Sequence, residues 1–97
     1  MHARVTTALC QPGKLDEATS ISKHSIVPAA KQQKGFKGYL ALADRNTGKY
    51  ISITLWETEA DMRANEASGY WQQQIAQVAP HLAGPPTVEH YEVMIQE

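Results

Sequence analysis

The segment FKGYLALADRNTGKYISITLW, residues 36–56, decides the fold of this 97-residue chain. Its two ends, residues 36–43 and 49–56, are rich in aromatic and aliphatic side chains and predict two β-strands. Between them, Asp44-Arg45-Asn46-Thr47-Gly48 contains the residue types that favour tight turns. The segment therefore predicts a β-hairpin.

Upstream of the hairpin, the sequence predicts one more strand and a helix. Residues 3–10 (ARVTTALC) favour a strand, and Gln11-Pro12-Gly13 ends it. The apolar spacing of residues 14–33 is typical of an amphipathic helix. Pro28 lies inside this helix and should kink it, because proline cannot donate a helical hydrogen bond.

Downstream of the hairpin, the pattern of helix and strand repeats. Thr58 resembles an N-cap for a helix over residues 59–79, which Ser68-Gly69 should break. Residues 87–95 predict the last strand. The order βαββαβ predicts one α+β domain over residues 1–97, a ferredoxin-like sandwich with a four-stranded antiparallel sheet and two helices on one face.

Both faces of the predicted sheet are apolar. Two helices cover only one face, and monomers seldom expose a large apolar patch on the other. We therefore expect a homodimer formed by face-to-face pairing of two sheets, although a short flanking segment could cover the second face instead. The predicted dimer surface consists of Ile51, Ile53, Leu55, Tyr91 and Val93.

The opposite face of the sheet is expected to meet the helices. Helix residues here are small, as at Ala18, Ser22, Ser25 and Ala29, which leaves either a tightly packed core or a cavity. A cavity of this composition would suit a flat, hydrophobic aromatic ligand. The sheet residues assigned to this face are Val5, Thr7, Leu9, Leu40, Leu42, Ser52, Thr54 and Trp56.

Composition excludes several other functions. The net charge is −1 without a basic block, so neither nucleic acid nor a membrane surface is an expected partner. A single cysteine, Cys10, excludes an internal disulfide, and the start of the chain resembles no signal peptide, which favours a cytoplasmic location. Histidine and carboxylate spacing predicts no metal site, and no glycine-rich loop predicts a nucleotide cofactor.

Four short motifs resemble the antibiotic-biosynthesis-monooxygenase-like family of dimeric α+β barrels. They are Gln11-Pro12-Gly13-Lys14, Pro28-Ala29-Ala30 followed by Gly35-Phe36, the segment from Ile53 to Glu59, and Leu82-Ala83-Gly84-Pro85-Pro86. The resemblance implies a cavity between sheet and helices in each subunit. It is also compatible with three kinds of protein that the family includes: cofactor-free oxygenases of aromatic phenols and quinols, haem-degrading enzymes, and proteins without a known reaction.

Individual residues of this chain distinguish these three kinds of protein. Trp56 matches the tryptophan of the polyketide oxygenases, whereas Ser52, Met62 and Leu42 replace their asparagine, tyrosine and histidine. Thr7, Asn65 and Ile75 stand where the haem-degrading enzymes have their asparagine, tryptophan and histidine, so the resemblance argues against haem as a cofactor.

The resulting hypothesis is a cofactor-independent monooxygenase of an aromatic phenol, quinol or polyketide-type substrate; the alternative is a non-catalytic small-molecule-binding or regulatory dimer. The catalytic candidates are Trp56 and His90. His90 carries an imidazole, the side chain that most often acts as a general base, but it could equally be a half-exposed edge residue. The candidate substrate-binding residues are Thr7, Ser22, Leu42, Ser52, Thr54 and Tyr70.

Overall fold

Four strands form one antiparallel sheet in the order β2-β3-β1-β4. The computed structural model describes residues 1–97. The strands are β1 (His2–Leu9), β2 (Phe36–Asp44), β3 (Lys49–Trp56) and β4 (Thr87–Glu92). This arrangement confirms the predicted ferredoxin-like α+β sandwich, and β2 and β3 form the predicted hairpin.

The helices are shorter than the two predicted, because each predicted helix is interrupted. The first comprises α1 (Leu15–Ile21), a π-helical turn (Ser22–Ile26) and α2 (Val27–Ala30). The second comprises α3 (Glu59–Ala67) and α4 (Tyr70–Val78), followed by a 3₁₀ turn at Ala79–His81. No helix has the length and apolar character required to cross a membrane.

Local signals in the sequence account for these interruptions. Pro28 has no N–H, and its ring cannot lie against the carbonyl four residues earlier. The helix widens before it, and the N–H of Val27 donates to the carbonyl of Ser22, five residues back. Thr58 caps α3 as predicted, since its hydroxyl accepts a hydrogen bond of 3.0 Å from the N–H of Asp61.

A β-bulge in β2 reverses the predicted orientation of that strand. Phe36 pairs with Trp56, but Gly38 already pairs with Leu55, so Lys37 is an extra residue. Beyond the bulge, Leu40 and Leu42 lie beside Ile53 and Ile51, on the face turned away from the helices. The sequence-based placement of Leu40 and Leu42 toward the helices is therefore wrong.

The orientation of β1 is also the reverse of the prediction. Arg4, Thr6 and Ala8 face the helices. Because side chains alternate along a strand, Val5, Thr7 and Leu9 lie on the outer face instead. The prediction placed the apolar residues inward and left the charged Arg4 outward. The structure buries Arg4 against two tryptophan rings, an environment that strand periodicity does not reveal.

The outer face of the sheet is extensively apolar. Ile51, Ile53 and Leu55 occupy its centre, on β3, and are half-buried in the isolated chain. Leu40, at 54% exposure, and Leu42, at 45%, extend this surface along β2. Tyr91 on β4 is also exposed, whereas Val93 lies past the end of that strand and donates its N–H to the carbonyl of Met1.

Gly35 is predicted to be far less replaceable than Gly69, although both adopt left-handed backbone conformations, with φ of +80° and +84°. A Cβ at Gly35 would lie 2.6 Å from the Cβ of Asp61, whereas nothing lies within 4 Å of one at Gly69. We expect Gly69→Ala to cost about 1–2 kcal/mol of unfolding free energy. Gly35→Ala should add about 1–3 kcal/mol for the overlap.

Urea denaturation of the two variants measures this difference directly. Both carry the same backbone penalty, so Gly69→Ala is the matched control, and only the contact with Asp61 distinguishes the two. Equal losses of stability in the two variants would show that Asp61 moves aside at no cost.

Candidate functional site

A cavity of about 70 Å³ lies between the sheet and the helices. Its wall is apolar over most of its area, and most of its polar groups are hydroxyls. The aromatic lining residues are Tyr39, Tyr50, Trp56, Tyr70 and Trp71, and the small hydroxyl residues are Thr6, Ser22, Ser52 and Thr54. The wall contains no aspartate, glutamate or histidine, and its single charged residue is Arg4.

Trp56, the last residue of β3, is completely buried in the cavity wall. Its indole N–H donates a 2.9 Å hydrogen bond to the hydroxyl of Thr54, two residues earlier on the same face. Phe36 meets its ring edge to face, with 5.9 Å between centroids and an interplanar angle of 82°. These contacts fix the orientation of the indole.

Arg4 brings a buried positive charge to the cavity and is only 3% exposed. Its guanidinium carbon lies 5.2 Å from the ring centroid of Trp56 and 5.9 Å from that of Trp71, within the range of cation–π attraction. Burial lowers the pKa of Arg4 to about 10, with the charge of Glu66 opposing the shift. The residue therefore remains a cation at neutral pH.

The guanidinium of Arg4 has only one long polar contact. Its Nη1 lies 3.9 Å from Oε1 of Glu66 and has no hydrogen-bond partner. The same Glu66 oxygen lies 2.7 Å from Nε2 of His90. Glu66 is thus shared between the two, with the shorter contact to the histidine.

Hydroxyl groups cluster at the π-helical turn. Ser22, the first residue of that turn, is buried, and its Oγ accepts a 3.1 Å hydrogen bond from the Tyr50 hydroxyl. Burial raises the pKa of the neighbouring Tyr39 above its usual value, and Ser22 and Ser52 oppose this shift. The turn caused by Pro28 therefore helps to place a seryl hydroxyl within a group of tyrosines.

Helix α4 contributes the remaining aromatic wall of the cavity. It follows Gly69, whose left-handed conformation separates it from α3, and it begins with Tyr70 and Trp71. The hydroxyl of Tyr70 is buried without a hydrogen-bond partner. Burial raises the pKa of Tyr70, the positive charge of Arg4 opposes the shift, and Tyr39 adds to it.

Five of the residues predicted for the site lie together in the cavity wall: Ser22, Ser52, Thr54, Trp56 and Tyr70. Two others do not. Thr7 and Leu42 are both paired with Ile51 on the outer face of the sheet, so their predicted contact with a ligand in this cavity is corrected.

His90 is the third correction. It lies beside Arg4 on β4, but it is absent from the cavity wall, and its Nε2 is engaged by Glu66. Glu66 on α3 reaches the strand, and the same carboxylate connects the imidazole to Arg4 in the cavity wall.

Arg4, Tyr39 and Trp71 are wall residues that were not predicted from the sequence. Trp71 follows Tyr70 directly, and that aromatic pair after the helix break was the available signal. Tyr39 was hidden by the bulge at Lys37, and Arg4 by its charge. Cys10 lies outside the cavity and is buried, which raises the pKa of its thiol. No three His, Cys, Asp or Glu side chains are grouped so that they could hold a metal ion.

The fold and the cavity together define a ferredoxin-like α+β protein with a cavity between its sheet and its helices. Residues 1–77 match the family described as antibiotic biosynthesis monooxygenase. The chain belongs to this family, as its motifs predict.

Known relatives agree with this assignment at the level of the fold. A Bordetella bronchiseptica structure assigned to the same monooxygenases superposes with a TM-score of 0.82 at 21% identity, covering 97% of each chain. SnoaB, a cofactor-independent oxygenase from Streptomyces nogalater, gives a TM-score of 0.79 at 14% identity, covering 98% of this chain and 94% of its own.

One curated relative is an uncharacterized protein of Mycobacterium tuberculosis, 28% identical over 96% of this chain. The present chain spans 41% of the length of that relative.

Proposed function

We propose that this protein is a cofactor-independent monooxygenase of a small aromatic phenol or quinol. The observation that carries the proposal is the apolar, hydroxyl-lined cavity built around the fully buried Trp56. A mostly apolar wall with a few polar groups is the composition expected for a site that takes up an aromatic molecule. The fold shared with SnoaB, itself a cofactor-independent oxygenase, supports the same reaction class.

The size of the cavity favours one aromatic ring over a polycyclic substrate. An apolar cavity of about 150 Å³ takes up a benzene molecule. The cavity here is about half that volume, 70 Å³. A single ring would require a small outward movement of α4, which follows the left-handed Gly69. A polycyclic substrate would require a much larger opening.

The proposed reaction converts a phenol with a free para position into a quinone. The phenol first loses its hydroxyl proton, and the resulting anion is electron-rich enough to reduce O₂. A carbon–oxygen bond forms at the para carbon to give a peroxide, which takes up a proton. The para carbon then loses its hydrogen as the O–O bond breaks, so one oxygen atom becomes a carbonyl and the other leaves as water.

The protein has to favour the anion without a carboxylate or histidine at the cavity wall. We therefore assign release of the phenolic proton to water. Trp56 contributes its buried indole to the cavity wall and holds the guanidinium of Arg4 over its ring. His90, paired with Glu66, is a positioning residue in this scheme because it acts on the site through that carboxylate.

Oxygen consumption with a panel of hydroquinones and phenols tests the proposal. We expect O₂-dependent quinone formation above the uncatalysed rate and no product under nitrogen, and phenols with a free para position should gain one ¹⁸O atom from ¹⁸O₂ in the new carbonyl. Trp56→Phe keeps an aromatic ring but loses the wider indole face, and should lower kcat/KM about tenfold, equivalent to about 1.4 kcal/mol.

A second candidate is a non-catalytic small-molecule-binding protein of the same fold. Ser52 and Met62 favour it, because they stand where the resemblance implies polar catalytic groups, and Met62 is fully buried. Compounds of the same panel that raise the melting temperature, without oxygen uptake by any of them, would favour this function over catalysis.

We also infer that two copies of the chain pair through the outer face of the sheet. The apolar surface there is wider than the sequence alone indicates, because Leu40, Leu42 and Val5 adjoin Ile51 and Ile53. Exposed apolar surfaces of this extent mark association sites. A two-fold axis through β3 would bring the same side chains of both copies together and leave each cavity on the far side of its own sheet.

A further inference from the structure

Two buried polar atoms in the wall of one cavity lack hydrogen-bond partners. They are Nη1 of Arg4 and the hydroxyl oxygen of Tyr70. Buried polar groups are nearly always paired in folded proteins, because an unpaired one has lost its hydration without compensation. Two such atoms in the wall of one cavity point to a ligand that supplies their hydrogen bonds.

The charge balance identifies the sign of that occupant. Arg4 is the single charged residue in the wall. The nearest carboxylate, on Glu66, lies 3.9 Å from Nη1 and only 2.7 Å from His90. The cavity therefore presents a guanidinium whose own counter-ion is at longer range than a hydrogen bond. A cation would be repelled from this space, whereas an anionic oxygen would be attracted.

The indole rings, the free hydrogen-bond donors and the apolar wall indicate the remaining chemistry of the ligand. Arg4 lies over Trp56 and Trp71, so its flat sides are covered by indole rings and its free donor is at the edge. One acceptor oxygen can take a hydrogen bond from Nη1 of Arg4 and a second from the hydroxyl of Tyr70. The apolar wall then requires that the oxygen be attached to a ring.

We propose that the cavity binds its ligand as a phenolate or enolate, with the ionised oxygen held between Nη1 of Arg4 and the hydroxyl of Tyr70. This assignment rests on the site of the proposed function and adds the charge state of the ligand and the two groups that select it. Arg4 supplies a charge-assisted hydrogen bond, and Tyr70 donates a second one. Both groups favour the ionised form over the neutral phenol.

The test uses 4-nitrophenol, a single-ring probe whose ionised form alone absorbs visible light. Titrating it with pH in the presence of saturating protein gives the pKa of the bound probe. We expect that pKa to lie at least about one unit below that of the free probe. The neutral analogue 4-nitroanisole should bind at least about tenfold more weakly, since it cannot ionise.

Variants assign the effect to the two residues. Arg4→Gln should abolish the pKa shift of the bound probe. Tyr70→Phe, which keeps the buried ring, should weaken phenolate binding about tenfold. Arg63→Gln removes an exposed arginine paired with Glu59 and is the matched control, with binding and pKa unchanged. Circular dichroism verifies folding, and Tyr70→Phe decides the question if Arg4→Gln does not fold.

The outcomes separate this inference from the oxygenase. Nitrophenol is too electron-poor to reduce O₂, so its binding is measured without turnover. Absence of saturable binding, a bound pKa equal to or above that of the free probe, or equal binding by Tyr70→Phe would each overturn the inference. A lowered bound pKa with no oxygen uptake on the hydroquinone panel would support the anion site and contradict the proposed oxygenase.

Discussion

Replacing Trp56 with alanine is expected to lower the free energy of unfolding by about 3–5 kcal/mol, the usual cost of deleting a large buried aromatic side chain. The side chain is wholly inaccessible to solvent and supports Phe36, Arg4 and Thr54. Its removal opens a void next to an existing cavity. It also takes away one of the two rings that cover the guanidinium of Arg4.

Such a loss would remove much of the stability of a small domain, which totals about 5–15 kcal/mol. Urea denaturation followed by far-ultraviolet circular dichroism measures it. Trp71→Ala is the comparison, because Trp71 also contacts Arg4 but is only half-buried, and it should cost about half as much. A loss below about 1 kcal/mol in Trp56→Ala would show that Trp56 does not anchor the core.

Substituting Ile53 with lysine is expected to weaken the proposed dimer more than about 100-fold and yield a monomer. Ile53 lies at the centre of the outer face, between Leu40 on β2 and Val5 on β1. Burying an unpaired ammonium there costs several kcal/mol in each copy, and every 1.4 kcal/mol is a factor of ten in the dissociation constant. The fold of each chain should persist, since Ile53 faces away from the helices.

Sedimentation equilibrium of the wild type and the variant measures the association. Gln73→Lys introduces the same charge on the exposed side of α4 and is the matched control, which should remain dimeric. A wild-type chain that sediments as a monomer at 100 μM would contradict pairing through this face, as would a dimer that survives in Ile53→Lys.

Features that depend on neighbouring residues were predictable from the sequence. The turn at residues 44–48 predicted the hairpin, Thr58 predicted the start of α3, and Ser68-Gly69 predicted the break before α4. Pro28 predicted a disturbance of the first helix, and the structure specifies it as a π-helical turn. In each case a local steric or hydrogen-bonding rule acts within one turn of chain, so the sequence carries the whole cause.

Only some residues of the site could be predicted from local sequence patterns. Ser52, Thr54 and Trp56 were placed correctly because β3 alternates regularly from Tyr50 to its end. Thr7 and Leu42 were misplaced because alternation fixes only which residues share a face, and the choice between the two faces has to come from elsewhere. In β2 a bulge at Lys37 also changed the alternation itself.

The hairpin of residues 36–56 thus determined the class of fold, together with the helix and strand on either side. Only the tertiary structure decided which side of β1 and β2 faces the helices, and hence that a buried arginine, rather than a strand histidine, lies at the cavity. The physical reason is that burial of Arg4 is stabilised by Trp56 and Trp71, from β3 and α4. These two tryptophans lie 52 and 67 positions after Arg4 in the chain, so no local pattern around Arg4 reveals the stabilisation that they provide.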